Sequence, residues 1–127
     1  MERDFEYFQI VYPKIIETLK LVAASSEIQL SLFPRNVDIT GEIADLAEDA
    51  VRYSKILTEN KYLTQEQFNK IKKLDDIFEN FNKEDWTILS LQNSTNWKMT
   101  REFAMNILQL FSVEYTKPNL YWIRDIN

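Results

Sequence analysis

Only one glycine, Gly41, and three prolines, Pro13, Pro34 and Pro118, punctuate the 127 residues of this chain. Sandwiches and barrels need a turn former every several residues, whereas long helices need very few. The scarcity predicts an all-α fold. The chain is 45% hydrophobic and 13% aromatic, enough apolar surface to offset chain entropy. Its length matches one domain that buries roughly two thirds of its unfolded surface. No repeat, low-complexity tract or linker-like stretch interrupts it, so residues 1–127 read as a single helical domain.

Apolar spacing then divides the chain into elements. Ile15, Ile16, Leu19, Val22 and Ala23 recur at helical intervals and Pro13 suits a first-turn position. They predict a helix from about Tyr12 to Ala24, preceded by a short helix or an extended lead. Ser25 or Ser26 can cap a second, short helix that Pro34 brings to an end. A third and long helix carries Ile39, Ile43, Leu46, Ala47, Ala50, Tyr53 and Leu57 on one stripe, with Asp38 or Thr40 as its cap. Thr64 and Gln67 form a capping box for a fourth, whose apolar face holds Phe68, Ile71, Leu74, Ile77, Phe78 and Phe81. The short connection between these two makes them antiparallel neighbours. A short helix around Asp85 to Leu91 and a long one from about Thr95 to Phe111, capped by Ser94 or Thr95, complete the set. The tail bearing Leu120, Tyr121, Trp122 and Ile123 is too apolar to float free and is expected to pack back on the bundle. The architecture is thus a compact single-domain bundle of about five or six helices, with Ile43, Leu46, Tyr53, Phe68, Ile71, Leu74, Phe78, Phe81, Trp97, Ile107, Leu108 and Phe111 in its core.

Composition removes many functions. Without cysteine or histidine there is no disulfide framework, thiolate site, Ser-His-Asp or Cys-His nucleophile, ordinary zinc site or Glu-x-x-His di-iron motif. The acidic N-terminal start, with apolar residues interrupted by Glu6, Gln9, Pro13 and Lys14, does not resemble a signal peptide. Nothing approaches the roughly twenty apolar residues of a membrane span. A cytoplasmic location is expected. A formal net charge of −5 with scattered lysines and arginines lacks the basic footprint that nucleic acids and anionic membranes require, so neither is expected as a partner.

The stretch Gly41 to Ala50 is the one concentration of charge that asks for an explanation. Glu42, Asp45 and Asp49 stand at i, i+3 and i+7 and share one helix face, with Glu48 beside them. Such a face can simply be the wet side of a helix, helped by the helix dipole and by Arg52. It can instead dock a basic protein through charge complementarity. Alternatively, Glu42 and Asp45 with Asp75, Asp76 and Glu79 offer oxygen ligands for Mg²⁺ or Mn²⁺. That set resembles the paired carboxylate motifs of all-helical nucleotide pyrophosphohydrolases, with the order of the two motifs reversed. Tyr121 and Trp122 are the aromatic candidates for a partner surface, while Trp86 and Trp97 occupy core positions. Lys70, Lys72 and Lys73 precede Asp75 and Asp76 closely enough for a salt-bridged wet face.

Three segments resemble a group of small acidic all-helical bacterial proteins. They carry Ser25 to Gln29 ending at Pro34, the acidic Glu42 to Ala44 helix, and Trp97-x-x-x-Arg101-x-x-Ala104, within a resemblance that extends over about four fifths of the chain. Gly41 departs from the acidic residue that often precedes the Glu. Some members of the group resemble immunity proteins of toxin systems, so the resemblance implies a partner-binding role and assigns no sites. The expected function is therefore a non-enzymatic binding protein with no cofactor and no metal. It would neutralise a basic toxin through Glu42, Asp45 and Asp49, with Tyr121 and Trp122 as further contacts. The alternatives are a Mg²⁺-dependent pyrophosphohydrolase-like enzyme and a homo-oligomeric structural protein.

Overall fold

The computed structural model describes residues 2–121; Trp122 and Ile123 of the expected tail lie outside them. Of the described residues 76% are helical and none lies in a strand. The helices are α1 (Glu2–Ala23), α2 (Ser26–Ser31), α3 (Ile39–Glu59), α4 (Gln65–Glu79), α5 (Ile88–Asn93) and α6 (Thr95–Leu110), with a 3₁₀ turn at Lys83–Asp85. α1 packs on α3 and α6, and α4 packs on the other side of both, which closes a four-helix ring. α2 and α5 touch each other, with α5 reaching α3 and α6.

Helices α2 to α6 each start where a short polar side chain can take the orphan amides of the first turn. Ser25 accepts from Ile28 N at 3.2 Å, Asp38 from Gly41 N at 3.3 Å, and Ser94 from Trp97 N at 3.1 Å. At α4 the capping box is complete: Gln67 N donates to Thr64 Oγ1 at 3.1 Å, and Thr64 N donates to Gln67 Oε1 at 2.9 Å. Gly41 has a further role, because a Cβ there would collide with the capping carboxylate of Asp38. The absence of a side chain leaves room for the cap.

Helix ends are built without glycine. Lys61 (φ 66°) and Ser112 (φ 57°) occupy the left-handed region. Tyr62 N donates to Leu57 O at 2.8 Å, and Val113 N to Leu108 O at 3.0 Å. With the paired bonds Lys61 N to Thr58 O and Ser112 N to Gln109 O, both are Schellman closures. A lone glycine in the chain therefore reflects turns made by residues that bear a left-handed cost of roughly 1–2 kcal/mol each.

The core is one contiguous cluster. Ile15, Leu19 and Val22 of α1 meet Ile43, Ala47 and Leu57 of α3, Ile71, Leu74 and Phe78 of α4, and Trp97, Ile107 and Leu108 of α6, all essentially without solvent contact. Full burial of each large aliphatic side chain is worth about 1.5–3 kcal/mol, well above the differences in helix propensity that separate these residues. At one end Phe78, Phe81 and Trp86 surround Trp97, with ring centroids 5.4, 5.1 and 6.4 Å from it. Trp97 Nε1 donates to Asp85 O at 2.8 Å, and the buried Asp85 carboxylate accepts from Asn82 N and Asn96 Nδ2 at 2.8 and 2.7 Å.

Three expectations are corrected. α1 begins at Glu2, well before Tyr12, and Pro13 lies inside it instead of in its first turn. Pro13 has no N–H for the carbonyl of Gln9, but Gln9 is an exposed residue, so water can satisfy that group. The N-terminal half is held by rings: Phe8 sits 5.0 Å from Tyr12 and 4.8 Å from Tyr62, and Tyr12 reaches Phe111 at 6.3 Å. Phe68 is half-exposed beside Lys55 and Glu59 instead of joining the core, while Leu46, Tyr53 and Phe81 pack against it only in part. The tail does fold back. Pro118 is buried, Leu120 packs on the core, Lys20 Nζ donates to Thr116 Oγ1 at 2.7 Å, and Asn119 N donates to Glu17 Oε1 at 2.6 Å. Tyr121, however, is 69% exposed.

Candidate functional site

α3 turns Ile39, Ile43, Ala47, Ala50, Ser54 and Leu57 to the core, so its opposite side must carry the carboxylates of Glu42, Asp45, Glu48 and Asp49. Asp45 and Glu48 are exposed, and Glu42 and Asp49 are half-buried. Arg52 pairs with two of the four. Arg52 Nη1 meets Glu48 Oε1 at 3.4 Å and Arg52 Nη2 bonds Asp49 Oδ1. No ion pair among the described residues involves Glu42 or Asp45. Exposed i,i+3 and i,i+4 pairs of this kind contribute only about 0.3–0.5 kcal/mol each, so the face stays electronegative.

Its two edges differ. Toward α1, Asp49 stands near Tyr53, whose phenol is pushed above its usual pKa by burial and, less, by the Asp49 charge. Lys14 Nζ lies 5.5 Å from the centre of the Tyr53 ring. Toward α4, Glu48 approaches Asp75. The Asp75 carboxyl is raised above the ordinary range first by partial burial and then by the charges of Glu79, Glu48 and Asp76, with Lys72 opposing. Lys72 is drawn to Asp76 at 3.8 Å. An acidic belt thus spans the α3–α4 seam.

That belt is broad. Among the described residues no three carboxylates converge closely enough to hold a metal ion, so Glu42 and Asp45 do not join Asp75, Asp76 and Glu79 in one cage. Tyr121 lies on the tail that Asn119 fastens to α1 through Glu17. Its amide donates to Asn119 Oδ1 at 3.1 Å and its ring is open to solvent. Trp122 lies outside the described residues.

The motif residues behind the bacterial resemblance play other parts. Ser25 caps α2. Gln29, fully buried, donates through Nε2 to Leu21 O and Val22 O at 3.0 and 3.2 Å. Its Oε1 accepts from Arg101 Nε and Nη2 at 3.3 and 3.1 Å, and Arg101 also bonds Leu91 O. Trp97 and Ala104 are core. This polar network joins α1, α2, α5 and α6, and only one signal in the sequence pointed to it: Arg101 falls one turn from both Trp97 and Ala104. Comparison with protein-family models, curated proteins and solved structures finds no match to this chain.

Proposed function

We propose that this chain is a non-enzymatic binding protein, an immunity-like inhibitor that covers a basic surface of a protein toxin with the outward face of α3. The observation that carries the reading is the imbalance on that face: of its four carboxylates, Glu48 and Asp49 share one guanidinium, and Glu42 and Asp45 have no ion-pair partner among the described residues. Like charges at i,i+3 and i,i+4 destabilise a helix by a few tenths of a kcal/mol per pair. A cationic partner would turn that repulsion into complementarity, raising the association rate and fixing the register of the complex. Rigidity supports the same reading, since α3 is capped at both ends and packed on α1 and α4, and a preorganised face loses little entropy on binding.

Tyr121 supplies an exposed aromatic side chain of the kind that anchors interfaces, and in this reading it touches the same partner at its rim. No described helix is long and apolar enough to cross a membrane, which is compatible with a cytoplasmic inhibitor. The test is the affinity of the complex with a basic toxin, measured at low and moderate salt for the wild type and for the Glu42→Lys, Asp45→Lys, Asp49→Lys variant. The reading expects affinity to fall with salt in the wild type and to collapse in the variant. A complex indifferent to both changes would remove the α3 face from the interface.

A further inference from the structure

α4 and α6 form the least extensively packed of the four seams in the helical ring. Two cavities lie in line along it. One, of about 420 Å³, is walled by Phe103, Ile107 and Leu110 with Lys70 at its edge; the other, of about 360 Å³, by Ile77 and Phe81 with Lys73 and the Lys72-paired Asp76 at its edge. Apolar atoms dominate both linings, as in ligand-accepting clefts generally. Lys70 and Lys73 stand between the two. Their ammonium groups lie 5.8 and 6.0 Å from the centre of the Phe103 ring, and neither forms an ion pair among the described residues. Of the three clustered lysines, only Lys72 behaves as the expected salt-bridged surface, with Asp76.

The pattern along this seam is apolar, cationic, apolar. In a chain of net charge −5, these two ammonium groups over one aromatic ring have no ion-pair partner among the described residues. The side-chain amides of Asn106 and Gln109 on the cavity rim make no hydrogen bond among the described residues, so they are available to a backbone. Along α4, Lys70 to Asn80 spans ten residues, or about 15 Å at 1.5 Å per residue. Two side chains seven residues apart on a helix are separated by about 10 Å.

We propose that the α4–α6 seam is a second docking site, which takes an amphipathic helical segment of a protein partner with apolar residues two turns apart and acidic residues between them. The apolar side chains enter the two cavities, the acidic ones meet Lys70 and Lys73, and the seam acquires the covering helix its own bundle does not supply, in the helix-in-groove mode. The site does not rest on the acidic face of α3. It uses the opposite flank of α4 from Asp75 and a partner segment of the opposite charge.

The test uses the whole chain and two alanine-based helical peptides of about four turns. One carries leucines at i and i+7 with glutamates at i+3 and i+4; its twin has lysines in place of the glutamates. Binding is followed by backbone amide NMR in moderate salt, which screens general attraction of the lysine twin to an acidic protein. The glutamate peptide is expected to perturb residues 70–80 and 103–110 and to bind roughly three- to tenfold more tightly than its twin, the range two exposed ion pairs give. In the Lys70→Glu, Lys73→Glu variant the preference inverts. Both positions are exposed, and circular dichroism verifies that the variant folds. Equal binding of the twins, an unchanged order in the charge-swapped variant, perturbation confined to other helices, or no binding of either peptide at millimolar concentration would each overturn the proposal.

Discussion

The side-chain carbonyl of Gln29 accepts two hydrogen bonds from the Arg101 guanidinium, at 3.3 and 3.1 Å, across 72 positions of sequence. Gln29 spends its amide on the carbonyls of Leu21 and Val22, and Arg101 adds a bond to Leu91 O. One buried amide and one half-buried cation therefore satisfy three backbone carbonyls at the ends of α1 and α5. Removing one member of such a network leaves the others desolvated and unpaired, which costs more than the bonds themselves contribute. Gln29→Ala is expected to lower the unfolding free energy by about 2–4 kcal/mol in urea titrations. Arg101→Lys should lose nearly as much as Arg101→Met, because a lysine cannot reproduce the planar fork. Full stability in Gln29→Ala would mean that the network is not structural.

The left-handed residues that close α3 and α6 make a prediction of the opposite sign. Lys61 and Ser112 have positive φ and bear the side-chain clash that glycine avoids. Lys61→Gly and Ser112→Gly should each stabilise the chain by up to about 1 kcal/mol, partly offset by glycine's greater freedom in the unfolded state. Thermal unfolding of the single variants and the pair checks this. The sites lie at the ends of different helices, so the two effects should add.

Asp75 makes a prediction about pH. Its folded-state pKa is raised, by partial burial and by Glu79, Glu48 and Asp76, above the unfolded value near 3.8. A carboxyl of this kind favours folding while protonated; that contribution is complete below the unfolded value and is lost as pH rises through the folded one. At pH 7 the Asp75 charge therefore opposes folding. Asp75→Asn is expected to raise the melting temperature by about 1–3 °C at pH 7, with the gain shrinking as pH falls through the folded value and gone below the unfolded one. A gain that persisted at low pH would assign the effect to something other than charge.

The tail offers a simpler case. The Tyr115 hydroxyl is buried without a hydrogen-bond partner among the described residues, and burial raises its pKa. Tyr115→Phe removes an unsatisfied polar group and keeps the ring, so stability should be unchanged or up to about 1 kcal/mol higher. A loss above that size in urea titrations would show that the hydroxyl contributes a bond after all.

The helices were legible in the sequence wherever a local rule sufficed. The Thr64 and Gln67 capping box, the Asp38 and Ser94 caps, and the stripes of α3, α4 and α6 all depend on residues within a few positions of one another. Reading failed where a distant partner decides. Pro13 argues for a helix start by itself, but Tyr62 and Phe111 hold the rings flanking it and let α1 run through. Phe68 shares its stripe with Ile71 and Leu74, yet falls at the edge where α3 presents Lys55 and Glu59. The carboxylates of α3 were visible as a set, whereas the approach of Glu48 to Asp75 required the antiparallel packing of two helices. Lys70 and Lys73 looked like partners for Asp75 and Asp76 by spacing, but Phe103, on a helix some thirty positions away, sits beneath both.

The claim at the centre of this account is that the α3 face recognises a basic protein, and charge-matched capture tests it most directly. Wild-type protein, the Glu42→Lys, Asp45→Lys, Asp49→Lys variant, and a control carrying the same charge change at the exposed Glu66, Glu102 and Glu114 are each presented to bacterial lysate in moderate salt. The account predicts one basic protein retained by the wild type and by the control and lost by the α3 variant. Retention by all three, or loss from the control and the α3 variant alike, would contradict it and leave Glu42, Asp45 and Asp49 as the solvated side of a helix.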